Sequence, residues 1–358
     1  MILAKLRKKI DNLDKNIIGF LNERAKIVCK IGALKKTRGI GVYMPDREKQ
    51  IYKKITKLNS GPIKNESLRA IYREIMSSSL SMEKKVKVAY LGPPATFTHL
   101  ASLKKFGSSV EYVTCNNISD VFCEVERARC DYGVVPVENS IEGAVNHTLD
   151  MLIDSDLKIC SEVLLNISHN LLVGNLKEKI KKVYSNPQVF GQCRMWIESN
   201  LPGVDLIEVS STTKAAQLAA KNKNSAAIAS SLAAELYHLQ VVSDSIEDSS
   251  HNITRFLVLA GTTALATNND KTSIIFSIKD KIGALHEMLL PFKNNNINLT
   301  KIESRPSKRK AWDYYFIADF NGHYTDNKVK KALTELEKKC RFIKILGSYP
   351  VPIDENDD

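Results

Sequence analysis

Three basic residues on one predicted helix open the case for chemistry. Arg24 and Lys35 stand eleven residues apart in sequence, about 20° on a helical wheel, so they share a face. Arg7 lies about 100° round from Arg24. It cannot serve the same pocket within a straight helix, but it can serve the pocket of a dimer partner. A few cations placed in this way suit a small anion. On spacing alone, solvated basic residues among many explain the same pattern. A second group is Asn252-Ile253-Thr254-Arg255-Phe256, which alone is a threonine and an arginine after a strand. Polar residues also follow other predicted strands, at Glu138-Asn139-Ser140, at Ser185-Asn186-Pro187 and at Ser230-Ser231. In α/β sheets the ends of strands are where ligands bind. The plain alternative for Thr254 is a β-branched strand residue. For His99 it is a structural imidazole hydrogen bond.

The elements that must position these residues fall into three segments. Residues 2–38 read as one helix, with Leu3, Leu6, Ile10, Leu13, Ile17, Leu21, Val28, Ile31 and Leu34 spaced by three, four or seven. Such a rod is about 55 Å long, too long for an 83-residue segment to bury alone. Shorter helices are expected near 45–59 and 65–83, broken at Asn59-Ser60-Gly61-Pro62. The physical conclusion is an intertwined helical dimer. From Val86, short apolar strands (86–91, 132–137, 182–184, 226–229) alternate with helix-length segments, which predicts an α/β unit with a largely parallel sheet. Residues 272–347 give the order β-α-β-β-α-β, the ferredoxin-like pattern. Residues 262–271 read as a polar linker.

Composition bounds the function. A chain of 358 residues has room for two or three domains. No apolar run reaches the ~20 residues needed to cross a bilayer, and the charged start lacks the look of a secretory signal. Seven cysteines without a Cys-x-x-Cys pair argue for reduced thiols in a cytoplasm and against a metal site. The net charge of +12 invites a nucleic-acid reading. Yet residues 1–83 hold 19 Lys and Arg against 8 Asp and Glu, so almost all the excess belongs to one segment. A genome rich in Lys codons explains that as well as an anion site does. No aromatic-basic interleaving supports nucleic acid.

Family resemblance sharpens these readings. Residues 3–83 resemble the all-helical chorismate mutase domain fused to prephenate dehydratases, through Leu6-Arg7-x-x-Ile10-x-x-Leu13-Asp14, Asn22-Glu23-Arg24, Lys35 and Asp46-Arg47-Glu48. The resemblance implies that Arg24 and the partner's Arg7 grip two carboxylates while Lys35 donates to the breaking ether oxygen. It also implies that Arg47 and Glu48 frame the ring hydroxyl and that Ser79 lies near a carboxylate. Two places depart from the family. Met44 stands where an Asp is common, and Glu83 where a Gln is the usual second donor. An ionised carboxylate cannot donate, so Glu83 in that role must hold a proton, which burial favours. The mutase rate is then expected to fall as pH rises above neutrality.

Residues 86–260 resemble the prephenate dehydratase family throughout. The motifs are Leu91-Gly92-Pro93 with Phe97-Thr98-His99-x-Ala101, Val135 to Ser140, Ser185 to Gln188, Thr212-Thr213-x-Ala215-Ala216, Ala226 to Ser230, and Asn252 to Phe256. The resemblance implies two α/β lobes around a cleft, similar to periplasmic binding proteins. In it Thr254 protonates the leaving hydroxyl and Arg255 binds a carboxylate. Asn139, Ser140, Ser185, Gln188 and Thr213 add polar contacts, and Glu138 orients loops. Ala95 replaces a usual glycine, a residue that allows either positive φ or a close backbone approach, which leaves the conformation of the loop near 93–98 open. Residues 272–350 resemble the ACT regulatory domain. Gly283-Ala284-Leu285 and Glu303-Ser304-Arg305-Pro306 match its phenylalanine-binding elements, with Arg305 positioning a loop. A purely structural, dimerising ACT domain remains open.

The expected protein is therefore multidomain. It has an all-α mutase domain over 1–84, a two-lobed α/β dehydratase domain over 85–262 and an α+β ferredoxin-like ACT domain over 271–350. As a bifunctional enzyme of phenylalanine synthesis it would take chorismate to prephenate and prephenate to phenylpyruvate, under feedback by L-phenylalanine. It is expected to be a cytoplasmic homodimer or higher oligomer that needs no cofactor or metal and has no nucleic-acid or membrane partner. Alternatives are a dehydratase with a decayed mutase domain and an aromatic amino-acid sensor on the same lobes.

Overall fold

The computed structural model describes residues 2–38, 41–175, 179–249, 251–278, 282–306 and 314–352. The first segment forms three helices, α1 (Ile2–Thr37), α2 (Pro45–Leu58) and α3 (Asn65–Glu83), at the places the apolar spacing predicts. Along the 36 residues of α1 only Val28 is buried. Leu6, Ile10, Leu13 and Ile17 are each more than half exposed, so within one chain the stripe is uncovered. Gly32 lets the end of α3 approach α1, since a Cβ there would meet Glu83 Cγ at 2.9 Å.

Residues 87–260 build two lobes. The first holds β1 (Lys87–Leu91), α4 (Phe97–Phe106), β2 (Glu111–Cys115), α5 (Ile118–Glu126), β3 (Tyr132–Asn139), β4 (Gly143–Ala144), α6 (Asn146–Asp154) and β5 (Lys158–Asn166). The chain then crosses to the second lobe for β6 (Asn170–Val173), β7 (Lys182–Ser185), α7 (Pro187–Gln192), α8 (Arg194–Asn200), β8 (Asp205–Glu208), α9 (Thr212–Lys221), β9 (Ser225–Ala229), α10 (Ser231–Tyr237) and β10 (Gln240–Ser243). It returns as β11 (Ile253–Ala260). The sheet orders are β2-β1-β3-β11-β5, with β4 on β3, and β10-β6-β9-β7-β8. Several polar residues after strands cap the next helix: Asn186 accepts from Gln188 N–H, Ser211 from Lys214 N–H and Ser230 from Ala233 N–H.

The sheets are mixed rather than largely parallel. β1, β2 and β3 run parallel, but β11 lies antiparallel to both β3 and β5. The cause is connectivity: the chain re-enters the first sheet from the second lobe, so its return strand runs against β3. Thr254 therefore begins a strand instead of following one, and its register partner is Asn139, the last residue of β3.

The last unit runs β12 (Asp270–Ser277), α11 (Ala284–Asn294), β13 (Leu299–Pro306), β14 (Tyr314–Asn321), α12 (Asn327–Glu337) and β15 (Phe342–Pro350), in the predicted order, with an antiparallel sheet β13-β14-β12-β15. It packs flush on the first lobe. A Cβ on Gly347 would lie 2.1 Å from Ile159 O, so the backbones of β15 and β5 touch. Lys344 Nζ donates to the carbonyls of Leu152 and Ile153 at the end of α6 and of Ser155 just beyond, where a cation is favoured. Arg305 donates to Asn146 Oδ1 at 2.7 Å and Asp150 Oδ1 at 3.0 Å. The helical segment is tied in by Lys49, whose ammonium donates to Asn269 O at 2.7 Å and Val351 O at 2.9 Å. Burial pushes that ammonium down to about 8.

Candidate active sites

A cavity of about 460 Å³ opens between α1, α2 and α3. Arg24, Lys35, Arg47, Glu48, Ser79 and Glu83 all line it, so six of the seven residues singled out in this segment converge. Arg24 donates to Ser79 Oγ, which in turn donates to Ile75 O at 2.8 Å. Lys35 Nζ donates to Glu83 Oε2 at 2.9 Å and to Val42 O at 2.8 Å. Tyr43 Oη donates to Glu48 Oε2 at 2.7 Å, and burial followed by the Glu48 charge holds that phenol protonated. Arg47 is exposed at the rim and donates to Gln50. Met44 lines the wall and gives α2 no side-chain cap. Arg7 stands outside, seventeen residues and so about 25 Å along α1 from Arg24.

The Lys35–Glu83 contact joins α1 to the last residue of α3, so the two side chains expected to act together are in direct contact at the end of the cavity.

In the cleft between the lobes, the pairing of β11 with β3 brings Thr254 and Asn139 together. Asn139 Nδ2 donates to Thr254 Oγ1 at 2.8 Å and to Asn252 Oδ1 at 2.7 Å, while its Oδ1 accepts from Ile141 and Glu142 N–H. Ser140 closes the loop, donating to His251 O and accepting from Ile253 N–H. Asn252 Nδ2 continues to Gln192 Oε1 at 3.2 Å, and that oxygen also meets His169 Nε2 at 2.9 Å. Thr254 and Asn252 are 9 % and 2 % exposed, so the hydroxyl sits on a preorganised and nearly dry amide network. Burial lowers the pKa of His169 and of His99, leaving both imidazoles neutral near pH 7.

Sequence reasoning missed His169 and Gln192. The available signal was the polar triplet Ser168-His169-Asn170 inside a run from Val163 to Val173 that is apolar apart from it and Asn166. The second lobe's predicted residues divide. Ser185 and Thr213 are fully buried and spend their hydroxyls on Ile228 O and Pro94 O, so they brace the walls. Gln188 is exposed in the first turn of α7. Ala95 has φ +65°, so of the two conformations that the family's glycine allows the positive φ is present and an alanine carries it, at a strain of about 1 kcal/mol or more. Its N–H bonds His99 Nδ1 at 3.1 Å, its carbonyl accepts from Ser230, and Tyr90 stacks on the His99 ring.

Arg255 lies on the other face of β11, because consecutive strand residues alternate. Its guanidinium donates to Glu162 Oε2 and Asp319 Oδ2, both at 2.6 Å, and to Tyr349 Oη at 2.8 Å. Burial alone would lower its pKa; Tyr349, Glu162 and Asp319 outweigh that and keep it charged. Lys271 also pairs with Glu162, at 2.7 Å. Glu138 pairs with Lys301 of β13 at 2.8 Å, as a loop-orienting residue does. The structure thus seats Arg255 against the C-terminal sheet and not in the cleft.

In the C-terminal module, Gly283 has φ +74° and immediately precedes α11, with Ala284 buried and Leu285 partly exposed. Along β13, Ser304 and Pro306 face solvent, whereas Glu303 and Arg305 are half-buried.

Comparison with known proteins places this architecture. Profiles for chorismate mutase type II, prephenate dehydratase and the ACT domain match residues 6–84, 88–264 and 272–338. The bifunctional chorismate mutase/prephenate dehydratase of Aquifex aeolicus is 51 % identical over 97 % of this chain and 98 % of its own. The chain belongs to that family. It carries both catalytic domains of a bifunctional enzyme and the ACT domain. The Pseudomonas aeruginosa relative is 45 % identical over 97 % of each chain. The crystal structure of prephenate dehydratase from Arthrobacter aurescens in complex with L-Phe is 32 % identical. It superposes with a TM-score of 0.69 over 74 % of this chain and 90 % of that one.

The Arg255 geometry makes a prediction for this enzyme. Arg255→Met is expected to cost about 3–5 kcal/mol of stability, because it strands buried carboxylates, while KM for prephenate stays within about twofold. Urea unfolding and steady-state kinetics check this. A large rise in KM at unchanged stability would return Arg255 to the cleft.

Proposed function

We propose that the helical cavity rearranges chorismate to prephenate and the interlobe cleft converts prephenate to phenylpyruvate, in the residue roles derived below. In the first reaction an ether C–O bond breaks as a C–C bond forms, and negative charge grows on the ether oxygen. Arg24 braced by Ser79, with the partner subunit's Arg7, holds the two carboxylates, and Lys35 donates to the ether oxygen. Preorganised cations at the developing charge are the main source of such acceleration. Glu48 and Arg47 take the ring hydroxyl.

In the second reaction the ring carboxylate leaves as carbon dioxide. Its bonding electrons enter the ring, the ring hydroxyl is expelled, and aromaticity drives the step. The observation that carries this assignment is the bond from Asn139 Nδ2 to Thr254 Oγ1 at 2.8 Å. A hydroxyl that accepts from an amide keeps its own proton for another acceptor, here the departing hydroxyl, which leaves as water while the threonine oxygen regains a proton from solvent. Asn252, Gln192 and His169 hold the threonine and asparagine in place.

A homodimer is supported by the exposed apolar stripe of α1, which a partner helix would cover, and by the distance of Arg7 from its own chain's pocket. Feedback by L-phenylalanine is supported by Gly283 at a helix N-terminus, which can receive a carboxylate, and by the packing of β13 and β15 on the first lobe. A cytoplasmic location is supported by seven free thiols.

Three outcomes are expected. With chorismate as the sole substrate, wild type yields phenylpyruvate, whereas Thr254→Ala accumulates prephenate and loses about 100-fold or more in dehydration rate. Phenylpyruvate formed at the wild-type rate would remove Thr254 from the chemistry. Inactive Arg7→Ala and Arg24→Ala chains, mixed and allowed to exchange, should regain about a quarter of wild-type mutase activity, since only heterodimers rebuild one complete site. No recovery on exchange would refute the shared site. Titration calorimetry with millimolar L-phenylalanine should show saturable heat, and its absence would end the feedback reading.

A further inference from the structure

The wall of the mutase cavity that faces the dehydratase module is not made by the mutase segment. Lys105 and Phe106, the last two residues of α4 in the first dehydratase lobe, line it. Lys105 Nζ lies 2.8 Å from Glu48 Oε2, with the two side chains only 17 % and 12 % exposed. It also stands 5.7 Å from the ring centroid of Tyr43, the phenol that donates to the same Glu48 oxygen. Tyr43 in turn is seated in the dehydratase core. Its ring lies 5.0 Å from Phe106 and 5.3 Å from Tyr132, and its N–H donates to Tyr132 Oη.

We infer that Lys105 is a positioning residue of the mutase centre, contributed by the dehydratase module, which aims the Glu48 carboxylate and offsets its charge. The reasoning rests on the reading of Glu48 as the group that takes the ring hydroxyl. A carboxylate in a pocket for a dianion repels its ligand unless a cation stands beside it. Lys105 supplies that cation beside Glu48, and together with Tyr43 it fixes Oε2. The competing account is an interdomain strut, a partly exposed ion pair of small worth. A strut would act on stability and on both activities alike. A positioning residue acts on chorismate binding alone and acts through Glu48.

The experiment uses the full-length enzyme. Lys105→Met is expected to raise KM for chorismate about tenfold, the scale of a lost charge-assisted hydrogen bond. Mutase kcat should change much less, and prephenate turnover should stay within about twofold. Lys105→Arg should restore KM to within about threefold, because a guanidinium also donates to a carboxylate. In a Glu48→Gln background, Lys105→Met should have no further effect on KM, as a residue acting through Glu48 requires. Three results would overturn the inference. The first is a silent Lys105→Met in an enzyme whose Glu48→Gln variant is impaired. The second is an equal fall of both activities with a lowered melting temperature. The third is an additive double variant. A Glu48→Gln enzyme with unchanged chorismate kinetics would instead remove the reading of Glu48 and the inference with it.

Discussion

The return of the chain into the first sheet as β11, antiparallel to β3, is the constraint on which the rest of the molecule turns. Antiparallel pairing sets the beginning of one strand beside the end of the other, and so puts Thr254 opposite Asn139. The two-residue period of a strand then sends the next side chain to the opposite face. One strand thereby presents a hydroxyl to the cleft and a guanidinium to the C-terminal sheet. Glu162, Asp319 and Tyr349 meet that guanidinium at 2.6–2.8 Å, so a catalytic wall and a domain interface are consecutive residues of one backbone.

The modules are joined by the same physics. Each junction uses a long cationic side chain whose stem is buried and whose head finds carbonyls or carboxylates: Lys49, Lys105, Arg305 and Lys344. Such contacts tolerate little displacement, because a partner left behind in a dry interface is an unpaired polar group. The mutase segment is accordingly fitted to the dehydratase lobe through Tyr43, Phe106 and Tyr132.

Much of this was legible in the sequence, and the rest was not for definable reasons. The helix spacing gave α1 to within a residue, and the β-α-β-β-α-β order of the last module matches. Helical spacing and family motifs both name Arg24 and Lys35, family resemblance alone names Ser79 and Glu83, and all four line one cavity. The partners of Arg255 were not legible because a sequence indicates a strand but not its neighbours, and only the pairing of β11 brings Glu162, Asp319 and Tyr349 to it. The contact of Glu83 with Lys35 spans 48 residues, so no local pattern indicates it. Lys105 was invisible for the same reason, since nothing local connects the end of α4 to Glu48. Gln192 and His169 sit on separate elements that only the two lobe crossings bring together.

The absent side chain at Gly347 has a mechanical consequence. Because β15 rests directly on the backbone of β5 at Ile159, a side chain at position 347 would have to part the C-terminal sheet from the first lobe. The second lobe is held differently, by two crossings of the chain and by side-chain bonds from Thr213 to Pro94 O, from Ser230 to Ala95 O and through Asn252, Gln192 and His169.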